Sequence, residues 1–312
     1  MNILPIVFTC DNNYFKYTAV VIQSIISNSI SSTQYEINVL TEYISEENKA
    51  KGYQLIKAHK NFNLNFIYLD NLDTSKFYLN SYMNASTYYR FYIPELFKNY
   101  DRILYLDSDL IIDNDISFYT TIDFENKVAI TSPSIYVQRI LTEQSDALFT
   151  LAYFNQHLQM NDISQYFNAG VMLLNLAEIR EKKIDQKLFD SINQIKKPIF
   201  QDQDLFNSVF YRNGGVKMIS NEFNNPITYK ITYFRILLNA IKSNFLNKKR
   251  NNWFTIYHYV GKTKPWQISK IDSSLFLYYA FKTSFISTII KNNPNLRISN
   301  LDKFKLKLIS YF

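Results

Sequence analysis

One cysteine, Cys10, is all the chain has, so no disulfide can form within it and a reducing compartment suits it. The N-terminus, Met1 to Asp11, has no basic region ahead of its short apolar run and reads as lacking a signal peptide. No segment offers about 18 uninterrupted apolar residues, the length a spanning helix needs. Leu275 to Ile290 comes nearest and is broken by Lys282 and several hydroxyl residues. Histidine is scarce too, with only His59, His157 and His258, and no internal repeat is found. What is abundant is apolar and aromatic residue: 47% of the 312 positions are hydrophobic, with 25 Tyr and 25 Phe. That excludes a disordered chain and allows a sizeable core. Acid is scarce in one region. Residues 223–312 hold 15 Lys/Arg against Asp272 and Asp302, a net charge of +13, while residues 1–222 hold 19 basic and 25 acidic residues, a net charge of −6. The first part therefore supplies carboxylates, and the second could face phosphate or an anionic membrane.

Strand and helix patterns alternate. Ile3–Thr9 is a short apolar run ending in Cys10-Asp11-Asn12-Asn13, a strand entering a turn. Tyr14–Ser27 has helical spacing, Tyr35–Thr41 and Leu64–Asp70 read as strands, and Ser45 caps a helix running to about Lys60. Ser86–Phe97 reads as a helix and Arg102–Ile112 as one apolar strand interrupted by acids. Strands follow at Lys127–Ser132 and Phe167–Leu176, then one amphipathic helix over Ala177–Lys196, a helix opening at Asp202, and a late strand at Trp253–Tyr259. Such alternation predicts an α/β fold with a mainly parallel sheet. The basic, aromatic segment after residue 270 is expected to be a helical extension to a domain over 1–270.

Three Asp-x-Asp patterns occur: Asp107/Asp109, Asp113/Asp115 and Asp202/Asp204. Chance alone would supply about one, so context has to separate them. Asp107 follows Ile103-Leu104-Tyr105-Leu106, and on a strand residues i and i+2 project to the same side. Two carboxylates at the carboxyl end of such a strand lie where α/β sheets bind ligands, and a divalent cation relieves their repulsion. Asp113 and Asp115 lead into a loop with Asn114 and read as a solvated turn. Asp202 and Asp204 stand at a helix start, where a carboxylate ordinarily serves as cap or dipole partner. His258 ends a strand and is followed by Gly261, Lys262, Lys264, Pro265 and Trp266. Gly261 allows close backbone approach, Lys264 could neutralise a phosphate, and an imidazole added to carboxylates suits Mn²⁺ better than Ca²⁺.

Six segments in order resemble glycosyltransferase family 8, the group of bacterial lipopolysaccharide galactosyl- and glucosyltransferases and, more distantly, glycogenin. They are Val7–Tyr14, Ser86–Phe91, Arg102–Asp109, Phe167–Leu176, Gln201–Asn207 and His258–Trp266, spanning about residues 3–268. The resemblance implies a GT-A fold, a UDP-sugar donor (galactose or glucose), Mn²⁺ with Mg²⁺ as alternative, and retention of anomeric configuration. It implies that Asp107, Asp109 and His258 bind the metal, with Ser108 the small residue between the carboxylates at the nucleotide site. Thr9, Asp11, Asn13 and Tyr14 would hold uridine and ribose, Gly261 and Lys264 the diphosphate. Arg90, Asn168, Asp202 and Gln203 would surround the donor sugar, which moves Asp202 from helix cap to catalytic candidate beside Gln203. Cys10 and Lys262-Thr263 depart mildly from the family pattern. The implied acceptor is a glycan of the lipopolysaccharide or lipooligosaccharide type, made at the inner face of the cytoplasmic membrane. Phe276, Tyr278, Tyr279, Phe281 and Phe285 could then lie at the headgroup level, with the tail lysines on anionic lipid; the alternative is a helix packed on the enzyme's own domain. Competing readings are a catalytically degenerate sugar-nucleotide-binding module and a nucleic-acid-binding protein. The basic third contains no nucleic-acid-binding motif, and no nucleic acid is expected as partner.

Overall fold

The computed structural model describes residues 2–69, 77–78, 85–143, 150–227, 256–267, 273–294 and 296. Its strands are β1 (Asn2–Thr9), β2 (Thr33–Thr41), β3 (Phe62–Tyr68), β4 (Arg102–Leu106), β5 (Leu110–Ile112), β6 (Ala129–Pro133), β7 (Phe167–Asn175), β8 (Val216–Met218), β9 (Asn225–Pro226) and β10 (Ile256–His258). A seven-stranded sheet has the order β3-β2-β1-β4-β7-β6-β8. Only β7 runs against the rest, pairing antiparallel with both β4 and β6. The other neighbours pair parallel, so the sheet is mixed and mainly parallel, as expected.

Both faces of this sheet are covered, which is why its strands read as continuous apolar runs. Side chains alternate between two cores: Leu104 and Leu106 join one, Ile103 and Tyr105 the other. The helices are α1 (Phe15–Asn28), α2 (Glu46–Ile56), α3 (Ile93–Leu96), α4 (Ile135–Glu143), α5 (Leu176–Glu181), α6 (Ile184–Gln194), α7 (Asp202–Arg212), α8 (Ser274–Ala280) and α9 (Ile286–Asn292). Asp11 starts α1: its carboxylate accepts the Tyr14 N–H at 2.7 Å and its carbonyl those of Tyr14 and Phe15. Ser45 caps α2 as expected, its Oγ accepting the Asn48 N–H.

Three expectations need correction, and one open alternative is decided. Arg102–Ile112 is not one strand: the chain turns through Asp107-Ser108-Asp109, and β5 leaves for a three-stranded sheet of order β5-β10-β9. The carboxylates therefore converge through a turn, not through strand alternation. Ser86–Phe97 is a 3₁₀ helix over Ala85–Tyr92 followed by α3, because Pro94 can occupy only a first turn. The helix over 177–196 is two helices, broken where Lys183 takes φ 52°. Finally, the aromatics after residue 270 face inward. Phe276, Tyr279 and Phe285 are buried in the same core as α1, and of the five named only Phe281 is largely exposed. Of the late strand, residues 253–255 lie outside the described residues, as do Lys303, Lys305 and Lys307. Among the described residues no helix is long and apolar enough to cross a membrane.

Candidate active site

The strand order reverses between β1 and β4, with β2 and β3 on one side and β7 on the other. Ligands of open α/β sheets bind at the carboxyl ends of strands flanking such a point. Here β1 delivers Thr9 and Asp11, and β4 delivers Asp107. The β4–β7 pairing continues one step past β4, with the Asp107 N–H donating to the Gly170 carbonyl at 2.8 Å. That step lays Asn168-Ala169-Gly170 alongside the acidic turn. His258 arrives by a different pairing. Strand β10 pairs antiparallel with β5, opposing His258 to Leu110, and the Tyr259 N–H donates to the Asp109 carbonyl at 3.0 Å.

Asp107, Asp109 and His258 each offer one ligand atom within 4.8 Å of the others. His258 Nε2 lies 3.2 Å from Asp109 Oδ1 and 3.7 Å from Asp107 Oδ2. Three features fit a divalent cation at this point. Asp109 Oδ1 is buried and receives no hydrogen bond. His258 Nδ1 faces Asn224 Oδ1 at 2.9 Å, which leaves Nε2 to face the carboxylates. Gly170 keeps the space open, since a Cβ there would lie 2.3 Å from His258 Cε1 and 2.8 Å from Asp107 Oδ2. Burial works against the charge of Asp109, but Lys264 and His258 hold its carboxyl below the usual carboxylate range. Lys264 Nζ donates to Asp109 Oδ2 and to the Tyr259 carbonyl.

Beside the cluster lies a buried ion pair. Asp202 opens α7, but its side chain caps nothing there. Arg90 donates from Nε to Asp202 Oδ2 and pairs with the same oxygen through Nη2, and Thr87 donates to Oδ1 at 3.1 Å. Burial pushes the Asp202 carboxyl up to about 6, against the pull of Arg90. Burial also opposes the Arg90 charge, yet Asp202, Tyr105 and Asp107 hold it above its ordinary range. Arg90 reaches further, donating from Nη1 to the Ala169 carbonyl at 2.7 Å and standing 3.7 Å from Asp107 Oδ1. Gln203 Oε1 accepts the Ala169 N–H at 3.1 Å and Asn168 Nδ2 at 3.3 Å.

The remaining expected residues border this centre. Thr9 Oγ1 lies 3.3 Å from the Tyr105 hydroxyl, which donates to Asp107 Oδ1 at 2.6 Å. Tyr14 packs edge-on against Trp266 at 5.6 Å, joining the turn after β1 to the segment after β10. The Asn13 carbonyl accepts from Lys16 Nζ. Ser108 turns inward, its Oγ accepting from Thr18 on α1 at 2.8 Å. Gly261 takes φ 82° with open space where a Cβ would stand. Tyr105, Thr87, Tyr166 and Asn224 were missed. Tyr105 had a readable signal, two positions before Asp107 on a strand. Asn224 had none, because a three-residue pairing of His258 with β5 and β9 brings it there.

The other acids have structural partners. Asp204 Oδ2 accepts from Tyr153 at 2.6 Å and from the Phe200 N–H at 2.8 Å, and Oδ1 accepts from Tyr166 at 2.5 Å. Asp113 accepts from Tyr279 at 2.7 Å and Asp115 from Tyr35 at 3.1 Å, so their turn is anchored instead of merely solvated. His157 meets the Lys196 carbonyl, and His59 packs edge-on against Phe62.

Known proteins resemble this chain in sequence and fold. A lipopolysaccharide 1,2-glucosyltransferase of Escherichia coli is 24% identical over 260 residues, covering 82% of this chain and 71% of its own. A putative glycosyltransferase of Haemophilus influenzae is 28% identical over 265 residues, covering 84% and 73%. Among solved structures, the galactosyltransferase LgtC with donor and acceptor sugar analogs superposes with a TM-score of 0.69 at 25% identity, covering 90% of this chain and 96% of that one. The bifunctional glycosyltransferase WbbM gives 0.74 at 25% identity, covering 94% of this chain, which spans about half (52%) of that protein. Fold and site together define a glycosyltransferase of the GT-A type. The model of glycosyl transferase family 8 matches residues 5–269, and the chain belongs to that family.

Proposed function

We propose that the protein transfers galactose or glucose from a UDP-sugar to a glycan acceptor of the lipopolysaccharide type, with retention and with Mn²⁺ as cofactor. The observation carrying this reading is the convergence of Asp107, Asp109 and His258 beside the buried Arg90–Asp202 pair. Two carboxylates and an imidazole form a mixed O/N set suited to Mn²⁺, with Mg²⁺ the alternative. When bound, the cation would offset negative charge developing on the departing diphosphate. Lys264, now on Asp109, is within reach of that same charge and would exchange one anion for the other. Thr9, Asp11, Asn13 and Tyr14 line the nucleotide end, and Gly261 leaves room for phosphate.

Arg90, Asn168, Asp202 and Gln203 would surround the sugar. Both oxygens of Asp202 are engaged, by Arg90 and Thr87, which supports an orienting role over nucleophilic attack. Gln203 presents an amide oxygen, a poor nucleophile able to stabilise an oxocarbenium-like centre. These two facts support same-face substitution, in which the acceptor attacks as UDP leaves. A glycosyl adduct trapped on Asp202 would overturn it.

A donor panel tests the whole reading. UDP release is measured from several UDP-sugars with Mn²⁺, with and without a lipooligosaccharide acceptor. Acceptor-stimulated release from UDP-galactose or UDP-glucose, abolished by chelation, is expected. UDP binding without release from any donor would point to a degenerate binding module. The charge of +13 on residues 223–312 supports action at an anionic membrane surface.

A further inference from the structure

A chain of hydrogen bonds links the sugar-facing segment to His258, and backbone groups set its direction. The Ala169 N–H can only donate, so the atom of Gln203 that meets it at 3.1 Å is the carbonyl oxygen. Gln203 Nε2 therefore points to the Tyr166 hydroxyl at 3.1 Å, whose proton goes to Asp204. The Gly170 N–H donates to Asn168 Oδ1 at 3.0 Å, which assigns the Asn168 amide in the same way. Asn168 Nδ2 then donates to Gln203, and Asn168 Oδ1 accepts Asn224 Nδ2 at 2.9 Å. Asn224 Nδ2 also reaches the Asn168 carbonyl at 3.3 Å, so its amide nitrogen is committed to Asn168. Its oxygen is left facing His258 Nδ1 at 2.9 Å, and an acceptor there requires a proton on Nδ1. Asn224 and His258 are both buried, so water does not readily replace this bond.

We propose that Asn224 is a positioning residue: it holds His258 as the Nδ1–H form with Nε2 free to ligate a divalent cation, and through Asn168 it ties that setting to Gln203. The inference rests on the metal reading above, but its first consequence holds without metal. Neutral imidazole has two tautomers, and only the Nδ1–H form offers an Nε2 lone pair to a cation held between Asp107 and Asp109. An outer hydrogen bond of this kind commonly changes metal affinity 10–100-fold when removed.

The test uses full-length protein labelled with ¹⁵N-histidine, with His258 assigned by its loss in His258→Gln. In metal-free wild type, long-range ¹H–¹⁵N spectra should show the proton of neutral His258 on Nδ1. Asn224→Leu, which keeps the branched shape and removes all three hydrogen bonds, should shift the proton toward Nε2 and weaken Mn²⁺ binding, read by electron paramagnetic resonance of free Mn²⁺, roughly 10–100-fold. Asn224→Asp keeps an acceptor on Nδ1 and should retain the Nδ1–H form, with Mn²⁺ affinity not weaker than wild type. Persistence of the Nδ1–H form in Asn224→Leu, or equal loss of affinity in both variants, overturns the proposal. If Asn224→Leu does not fold, the aspartate variant decides alone: a proton on Nε2 there overturns the proposal and one on Nδ1 supports it. Absence of Mn²⁺ binding to wild type would defeat the metal reading, and the tautomer comparison would still decide the role of Asn224.

Discussion

Arg90 and Asp202 are opposite charges removed from water together, so their value depends on keeping both. Replacing Arg90 with methionine leaves Asp202 buried with only the Thr87 hydroxyl at 3.1 Å. Breaking a buried pair in this way costs about 3–5 kcal/mol, which a denaturant titration at neutral pH will read directly. Asp202 also sets a pH dependence. Its carboxyl sits at about 6 in the fold, above the roughly 3.9 of an unfolded aspartate. Between these values the native state keeps a proton that the unfolded chain has released. This group therefore makes stability fall as pH rises from about 4 to about 6, with no further change above. In metal-free protein Asp202→Asn should remove that slope, and an unchanged slope would refute the assignment. Asp109→Asn should cut UDP release at least about 100-fold with manganese titrated, if the carboxylate is a metal ligand. Normal turnover by that variant would sink the metal assignment. At this scale the residue types of the Asp107/Asp109/His258 cluster were readable but their geometry was not. Spacing pointed to two aspartates on a strand, whereas a turn and the distant pairing of β10 with β5 bring the three groups together.

Elements buried on both faces announced themselves in sequence. The apolar runs of β1 and β7 match the observed strands closely because both faces of the sheet are covered, whereas the run at β4 reads on through the acidic turn into β5. Breaks were harder to read. Lys183 takes φ 52° without being Gly or Asn, so no local signal marked the end of α5. For the described elements after residue 270 sequence leaves two surroundings open, because an aromatic helix reads alike whether it covers a core or a membrane. Their actual place yields a prediction. The Tyr279 hydroxyl donates to Asp113 at 2.7 Å and accepts from Asn28 at 2.8 Å, pinning α8 to α1 and to the turn after β5. Tyr279→Phe should therefore cost about 1–3 kcal/mol in thermal or chemical unfolding. Truncation after Lys270 would strip Leu275, Phe276, Tyr279 and Phe285 from the core, each worth roughly 1.5–3 kcal/mol. A soluble, fully active truncated protein would contradict this packing.

At the scale of the whole molecule, charge and burial point to different parts of the chain after residue 222. Phe276, Tyr279 and Phe285 are occupied within the core, so attraction to a membrane would have to come from the positive charge. That charge is concentrated: +13 over residues 223–312 against −6 for the remainder. Lys303, Lys305 and Lys307 belong to it and lie outside the described residues. A lysine near an anionic bilayer contributes about 1 kcal/mol, and the effect fades within a Debye length of about 8 Å at physiological salt. Binding to phosphatidylglycerol vesicles should therefore be strong at low salt and lost at high salt, with little binding to phosphatidylcholine alone. Changing the three lysines to glutamine should weaken the partition constant by up to roughly 100-fold. Release of UDP with a soluble acceptor should be unaffected, because these positions lie outside the family match over residues 5–269. Salt-insensitive binding, or equal binding to neutral vesicles, would mean that exposed apolar surface such as Phe281 makes the contact instead. Cosedimentation across a salt series separates the two, since only the electrostatic route carries the steep dependence on ionic strength.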